Sequence, residues 1–359
     1  MIAEKGREAG GFCLRIGVLW AFALLLSSLG CRGLPKGGEW CPVESGSSVS
    51  LRGLSALTSD VCWASGAAGT VLRTIDGSTW DRLSIPGAET LDFRDVQAFD
   101  PDRALVVSAG TPARIYLTEN AGLTWELVYG HPDERAFFDA VAFWDEKRGM
   151  VFSDPIDGHL LVIATEDGGR TWRVLPKEAL PSSPEGEAGF AASGTCLSVY
   201  GESSAWIGLG GTQGARVFRT EDAGASWEAV WTPMLAGTNS QGIFSLFAYQ
   251  DGRGIAVGGD FTQPDGVEAN AIRTEDGGVS WEPIEPLAPS GYRSSIVAVR
   301  GQERVLVATG PNGTDFSVDG GRQWARLSNE GYHVLACAAD GTIWAAGSGG
   351  RIAKLLWSR

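Results

Sequence analysis

TIDGSTW at 74–80, TENAGLTW at 118–125, TEDGGRTW at 165–172, TEDAGASW at 220–227, TEDGGVSW at 274–281 and SVDGGRQW at 317–324 are six copies of one short segment. Their tryptophans stand 45, 47, 55, 54 and 43 residues apart, so one supersecondary unit is repeated along the chain. The third residue of each copy (Asp76, Asn120, Asp167, Asp222, Asp276, Asp319) can accept backbone N–H bonds within its own turn. A glycine two residues later supplies the positive φ that such a turn needs. The segment therefore reads as a hairpin clasp whose tryptophan opens the next strand and packs between units. The first copy is one residue short and sets Ser78 in the glycine position, which predicts a distorted turn.

The motif S/T-x-D-x-G-x-T/S-W resembles the Asp-box, or BNR, repeat of sialidase-like and related propellers. Its aspartates are structural and should not be read as catalytic carboxylates. Upstream of each clasp the same order recurs. In the first unit an alternating strand (50–57), a small-residue strand (61–66) and a short third strand (70–74) precede the clasp, and a fourth (80–85) follows it. Four short antiparallel strands per unit with glycine-rich turns are the pattern of a β-propeller blade. The expected class is all-β. Six full units end at Trp324, yet 332–356 still supplies three strands, while 39–43 (EWCPV) reads as an orphan fourth strand headed by Trp40. Pairing the two completes a seventh blade and removes exposed sheet edges. The expectation is a seven-bladed β-propeller over 39–359 closed by its N-terminal strand, with six or eight blades as the alternatives.

Composition agrees with that reading and closes off others. The chain of 359 residues holds 50 glycines and 14 tryptophans, which suits many tight turns with regularly placed aromatic anchors. With 43% hydrophobic residues it can bury a large core, so disordered and disulfide-scaffold classes are disfavoured. Lys+Arg 29 against Asp+Glu 43 gives a net charge of −14, which argues against nucleic acid as the main partner. His131, His159 and His333 lie far apart without cysteine spacing that suits a metal. G-x-G-x-x-G, G-x-x-x-x-G-K and G-x-S-x-G are all missing from the sequence, so no cofactor is expected.

Before the repeats, Lys5, Arg7 and Arg15 precede a 14-residue apolar run, 16–29 (IGVLWAFALLLSSL), which is short for a bilayer span and suits a secretory signal. It ends in Ser28-Leu29-Gly30-Cys31, similar to a bacterial lipobox, although the residue three before the cysteine is usually Leu; ordinary signal peptidase would also cut after Gly30. The expected organisation is a signal peptide at 1–30, an acylated Cys31, a tether at 31–38 and an exported, acidic domain held to a membrane by its lipid. Simple secretion and an uncleaved anchor are the alternatives. Four cysteines remain beyond Cys31 and allow three complete pairings; free thiols are expected, and only Cys41 with Cys62 looks close enough to consider.

In such a ring the first strand of each blade lines the channel. Aligning their starts puts Arg52, Arg94, Asp139, Thr195, Ser245, Arg293 and His333 around one mouth, with Asp154, Asp260 and Pro311 on adjoining loops. Three arginines there could hold carboxylates by fork-like hydrogen bonds, or pair with Asp95, Asp139, Asp154 and Asp260 to line a wet channel. Long insertions at 176–189 and 261–270 should rise beside the same mouth.

Nearly the whole chain after the signal, from Trp40 through Leu51-Arg52-Gly53-Leu54, Trp63-Ala64-Ser65-Gly66 and 69–74 (GTVLRT) to Gly350-Arg351-Ile352, resembles the photosystem II stability/assembly factor propellers. That resemblance implies a non-enzymatic, exported seven-bladed monomer, often lipid-anchored, that chaperones a newly made membrane subunit. It also implies partner contact through surface arginines, matched here by Arg52, Arg94 and Arg293. A sialidase-type propeller is the competing reading. It would use an arginine triad and a Tyr/Glu nucleophile pair, but its Arg-Ile-Pro motif is missing and its six blades disagree with the count.

Overall fold

The computed structural model describes residues 35–358. The expected signal peptide, the lipobox and Cys31 lie outside the described residues. Seven antiparallel blades follow one another, six of them four-stranded sheets and the fifth extended to six strands by Glu187–Ala188 and Gly210–Gly211 on its inner edge; among the described residues, apart from two single-turn 3₁₀ segments, Lys177–Ala179 and Ser348–Gly350, all regular structure is strand. The first strands are Leu51–Ala56, Asp92–Ala98, Phe138–Phe143, Leu197–Tyr200, Gln241–Ala248, Ser295–Val299 and Val334–Cys337. Each touches the next, and the seventh touches the first, so the ring is closed.

Closure is made by the N-terminal strand. Gly37–Val43 pairs antiparallel with Ile352–Ser358, from Gly37 opposite Ser358 to Val43 opposite Ile352, two residues longer than expected from sequence. Trp40 is buried in this strand, lies 4.9 Å from the Tyr332 ring, and donates from Nε1 to Thr314 Oγ1 of blade six at 3.3 Å. One indole thereby fastens the seventh blade to its neighbour.

The clasps form as the motif dictates. Asp167 Oδ1 accepts the Thr171 N–H at 2.9 Å, while Thr165 Oγ1 accepts the Gly169 N–H at 2.9 Å. Two consecutive residues take positive φ in five of the copies, and Ala121 and Ala223 fill the first of those positions at φ 64° and 55°. In the short first copy the clasp closes one residue early: Thr74 Oγ1 accepts from Gly77, and Asp76 Oδ1 accepts from Ser78 and Thr79. Each clasp tryptophan stands just before the fourth strand rather than within it. Trp80 meets Trp344, Trp125 meets Trp63 and Trp281 meets Trp206, each edge to face on the second strand of the preceding blade. The hydrophobic clusters accordingly straddle adjacent blades, so the core is distributed around the ring.

Cys41, Cys62, Cys196 and Cys337 carry free thiols, with Cys62 and Cys196 buried. The one disulfide worth considering from sequence, Cys41 with Cys62, is not formed.

Candidate functional site

The first strands carry a local irregularity that decides the site. Register shifts fall between Leu51 and Gly53, between Phe93 and Asp95, between Phe138 and Ala140, and between Ile243 and Ser245. The residues left over at these bulges are Arg52, Arg94, Asp139 and Phe244. A bulge re-aims a side chain that a regular pleat would send into the sheet face. At two of the four bulges the following residue ties neighbouring first strands together, since Asp95 Oδ2 accepts the Val141 N–H and Ser245 Oγ the Ile296 N–H. In blade five the alignment of starts on Ser245 is therefore off by one, because Phe244 is the bulged residue.

The insertion between blades three and four supplies the floor. Glu187–Ala188 forms a short strand on Gly210–Gly211, anchored by a buried Arg216–Glu187 ion pair of 2.6 Å. The chain then crosses the mouth. Arg94 Nη1 donates to the Ala191 carbonyl at 3.2 Å and Arg52 Nη1 to that of Ala192 at 3.1 Å, while Ser193 Oγ donates to the Ser294 carbonyl of blade six at 2.7 Å. Gly189 and Gly194 let it pass: a Cβ on Gly189 would stand 2.9 Å from Asp139 Oδ2, and one on Gly194, whose φ is 69°, would strike the Asp95 carboxyl. Above this floor is a cup of about 330 Å³ walled by Arg52, Arg94, Phe244, Phe261, Tyr292 and His333. Ser193–Thr195 face a second cavity of about 300 Å³ deeper along the first strands.

The electrostatics of the cup are set by two arginines. Arg94 is braced by Asp92, which accepts from its Nε at 2.8 Å. Burial, and the neighbouring Arg94, draw the Arg52 guanidinium below its ordinary value, as two close cations must. His333 is lowered to about 4, chiefly by burial and then by Arg52, Arg351 and Arg94, so it is neutral at pH 7 and adds no third positive charge.

The remaining candidates stand elsewhere. Arg293 is wholly buried: its Nε donates to Asp315 at 2.6 Å and its Nη1 to the Tyr292 carbonyl and Asn312. It braces the wall behind Tyr292 and presents no guanidinium to the cup, and its partner is Asp315 rather than one of the four aspartates named from sequence. Asp260 accepts from Thr262 and Gln241 and does not line the cup. Burial acts to raise it, but those hydrogen bonds prevail and hold it below the usual carboxylate range. Asp139 and Asp154 lie beneath the floor. Asp154 Oδ1 accepts the Gly189 N–H at 2.8 Å, and neither oxygen of Asp139 has a partner.

Those buried acids make stability depend on pH. Burial lifts Asp95 to about 7 and Asp154 to about 6, and burial together with the Asp154 charge lifts Asp139 well above the usual range. An acid raised in the fold binds its proton more tightly there than in the unfolded chain. Its contribution is complete below the unfolded value near 4 and is lost as pH climbs through 6 to 7. His333, lowered in the fold, works in the opposite sense, and its contribution is lost as pH falls from 6.5 to about 4. For Asp95 alone the displacement from 3.8 to about 7 corresponds to on the order of 4 kcal/mol. Denaturation midpoints are expected to decline between pH 5 and 8, and to decline less in Asp95→Asn. A parallel decline in both proteins would contradict this assignment.

Among the described residues no group of three or more His, Cys, Asp or Glu side chains is arranged to hold a metal ion. Sequence reasoning missed Phe190, Phe244 and Phe261 as members of the site. Phe190 and Phe261 adjoin or begin the two insertions, and an aromatic in a polar surface loop was the usable signal. Phe244 had none, since nothing local announces a bulge.

The molecule is thus a closed seven-bladed propeller with a floored, two-arginine cup at one mouth. Its fold is that of the YCF48 photosystem II assembly-factor propellers. It superposes on a structure of YCF48 bound to a D1 peptide with TM-score 0.63 at 14% identity, covering 91% of this chain and 96% of that one. For YCF48 from Cyanidioschyzon merolae the TM-score is 0.62 at 17% identity, covering 88% and 98%. A streptogramin B lyase matches at TM-score 0.66 and 13% identity, covering 90% and 98%. No protein-family model matches the chain, and no curated protein matches its sequence. The likeness is one of fold, and the same fold serves both a peptide-bound protein and a lyase.

Proposed function

We propose that the protein is a non-catalytic, exported, lipid-anchored monomer that binds a peptide segment of a membrane-protein partner at this mouth, in the manner of an assembly factor. The observation that carries the reading is the pair Arg52 and Arg94, set side by side on bulges and each held by one Nη1 bond to the floor, with further donors left for a ligand. Planar guanidinium donors suit a carboxylate. The peptide in the YCF48 complex supports a peptide as the class of ligand. Glycoside hydrolysis of the sialidase kind is less well supported. No carboxylate lines the cup, and the third arginine of a triad, Arg293, is engaged by Asp315.

The test is direct binding of carboxylate-bearing peptides. Hydrogen bonds to charged groups contribute about 1.5–3 kcal/mol each, so Arg52→Ala with Arg94→Ala is expected to weaken binding roughly a hundredfold. Equal affinity in the double variant and the parent would remove this reading. Acylation of Cys31 is checked separately by mass spectrometry of the membrane-bound chain.

A further inference from the structure

Two arginines account for only part of the cup; the rest of its wall is aromatic. Phe190, carried in by the insertion, stacks on Phe244 with ring centroids 3.8 Å apart and planes 22° apart. Phe244 meets Tyr292 edge to face at 4.7 Å and Phe261 at 6.2 Å. Phe244 and Tyr292 are almost fully buried, whereas Phe261, at the start of the second insertion, leaves half its surface in water. Exposing a phenylalanine costs free energy that folding does not recover, and here its ring stands at the rim of a concave site beside two cations. Pro311, from blade six, extends the same apolar side.

Size restricts what fits. About 330 Å³ is near the bottom of the range for ligand pockets, roughly 300–1,000 Å³, so the cup admits one or two residues rather than a folded surface. With the floor spanning the mouth, a ligand enters end-on or as a kinked segment and does not thread the ring.

We propose, on the footing of the peptide-binding reading above, that the cup recognises a paired determinant: a large aromatic or aliphatic side chain laid against Phe244, Tyr292 and Phe261, with a carboxylate one residue away or less on Arg52 and Arg94. The apolar half confers selectivity, because many acidic peptides could satisfy two arginines but few also fill the aromatic wall. The carboxylate can come from a chain terminus or from an Asp or Glu side chain. Both present the same two oxygens to the arginines, and the determinant is the same in either case.

Fluorescence anisotropy with labelled tetrapeptides and the full chain in detergent tests this. The probes are Ala-Ala-Ala-Phe as free acid, the same peptide as amide, Ala-Phe-Asp-Ala amide, and Ala-Ala-Ala-Ala as free acid. The phenylalanine peptides that carry a carboxylate are expected to bind at least about tenfold tighter than the all-alanine acid, the scale set by burying an aromatic side chain. Phe261→Ala, a change at an exposed rim position that leaves the buried wall intact, is expected to erase most of that preference. Tighter binding of the free-acid peptide would assign the carboxylate to a chain end, and tighter binding of the Asp peptide to a side chain; both support the paired determinant. Equal affinity for phenylalanine and alanine acids, with Arg52 and Arg94 still required, overturns the proposal and leaves the arginine reading standing. Failure of every carboxylate peptide to bind overturns both.

Discussion

Arg293→Ala is expected to destabilise the protein by about 3–5 kcal/mol, because removing one partner of a buried pair leaves the other charge uncompensated. Neither the Arg293 nor the Asp315 side chain has meaningful solvent contact, and the guanidinium also donates to the Tyr292 carbonyl, Asn312 and Ser290. Asp315 accepts in addition from the Ser290 N–H and hydroxyl, so the lost arginine would strand a carboxylate inside a network built for its charge. Replacing both members with apolar residues, Arg293→Met with Asp315→Leu, should cost less than the single change. Urea denaturation of the three proteins measures this. A single variant as stable as the parent would show that the pair is dispensable. Because Arg293 braces the Tyr292 side of the cup without entering it, the folded fraction of the single variant should keep the arginine-dependent part of peptide binding that Arg52→Ala loses.

The second large effect is at the ring closure. Trp40→Ala is expected to cost about 3–5 kcal/mol, the usual consequence of truncating a buried tryptophan. For a chain of this size that lowers the melting temperature by roughly 6–10 °C. The loss would be spatially polarised. Trp40 clamps Gly37–Val43 between Tyr332 and Thr314, so amides of that strand and of its partner Ile352–Ser358 should exchange with solvent well before those of the other blades. Hydrogen exchange followed by mass spectrometry distinguishes this from a general softening. Uniform acceleration around the ring would mean that closure is not held locally by the indole.

Fold and site were legible in the residues to different degrees. The clasps could be read because their chemistry is local: Asp167, Thr165 and Gly169 lie within five residues, and the hydrogen bonds that join them follow from that spacing. The seventh blade could be read because three strands without a fourth at one end, and an orphan strand at the other, leave unpaired edges. Arg52 and Arg94 were found by lining up equivalent strand starts, and the structure sets them together in the cup. Arg293 came from the same alignment and lies behind the wall, since its start is not bulged and Asp315 on the third strand of its own blade claims it. Phe244 was passed over for Ser245 because the bulge before Ser245 adds a residue that no periodicity registers.

Repetition along the chain was sufficient for blade number, strand order and clasp geometry, since each depends on residues near one another and on the need to leave no sheet edge open. The cup depended on contacts between residues more than a hundred positions apart, such as Arg52 with Ala192 and Ser193 with Ser294. Bulges and a crossing insertion decide which side chains face the ligand. The bulges lie between the first and second strands of single blades, the crossing segment is held by contacts across the ring, and neither leaves a periodic mark in the sequence.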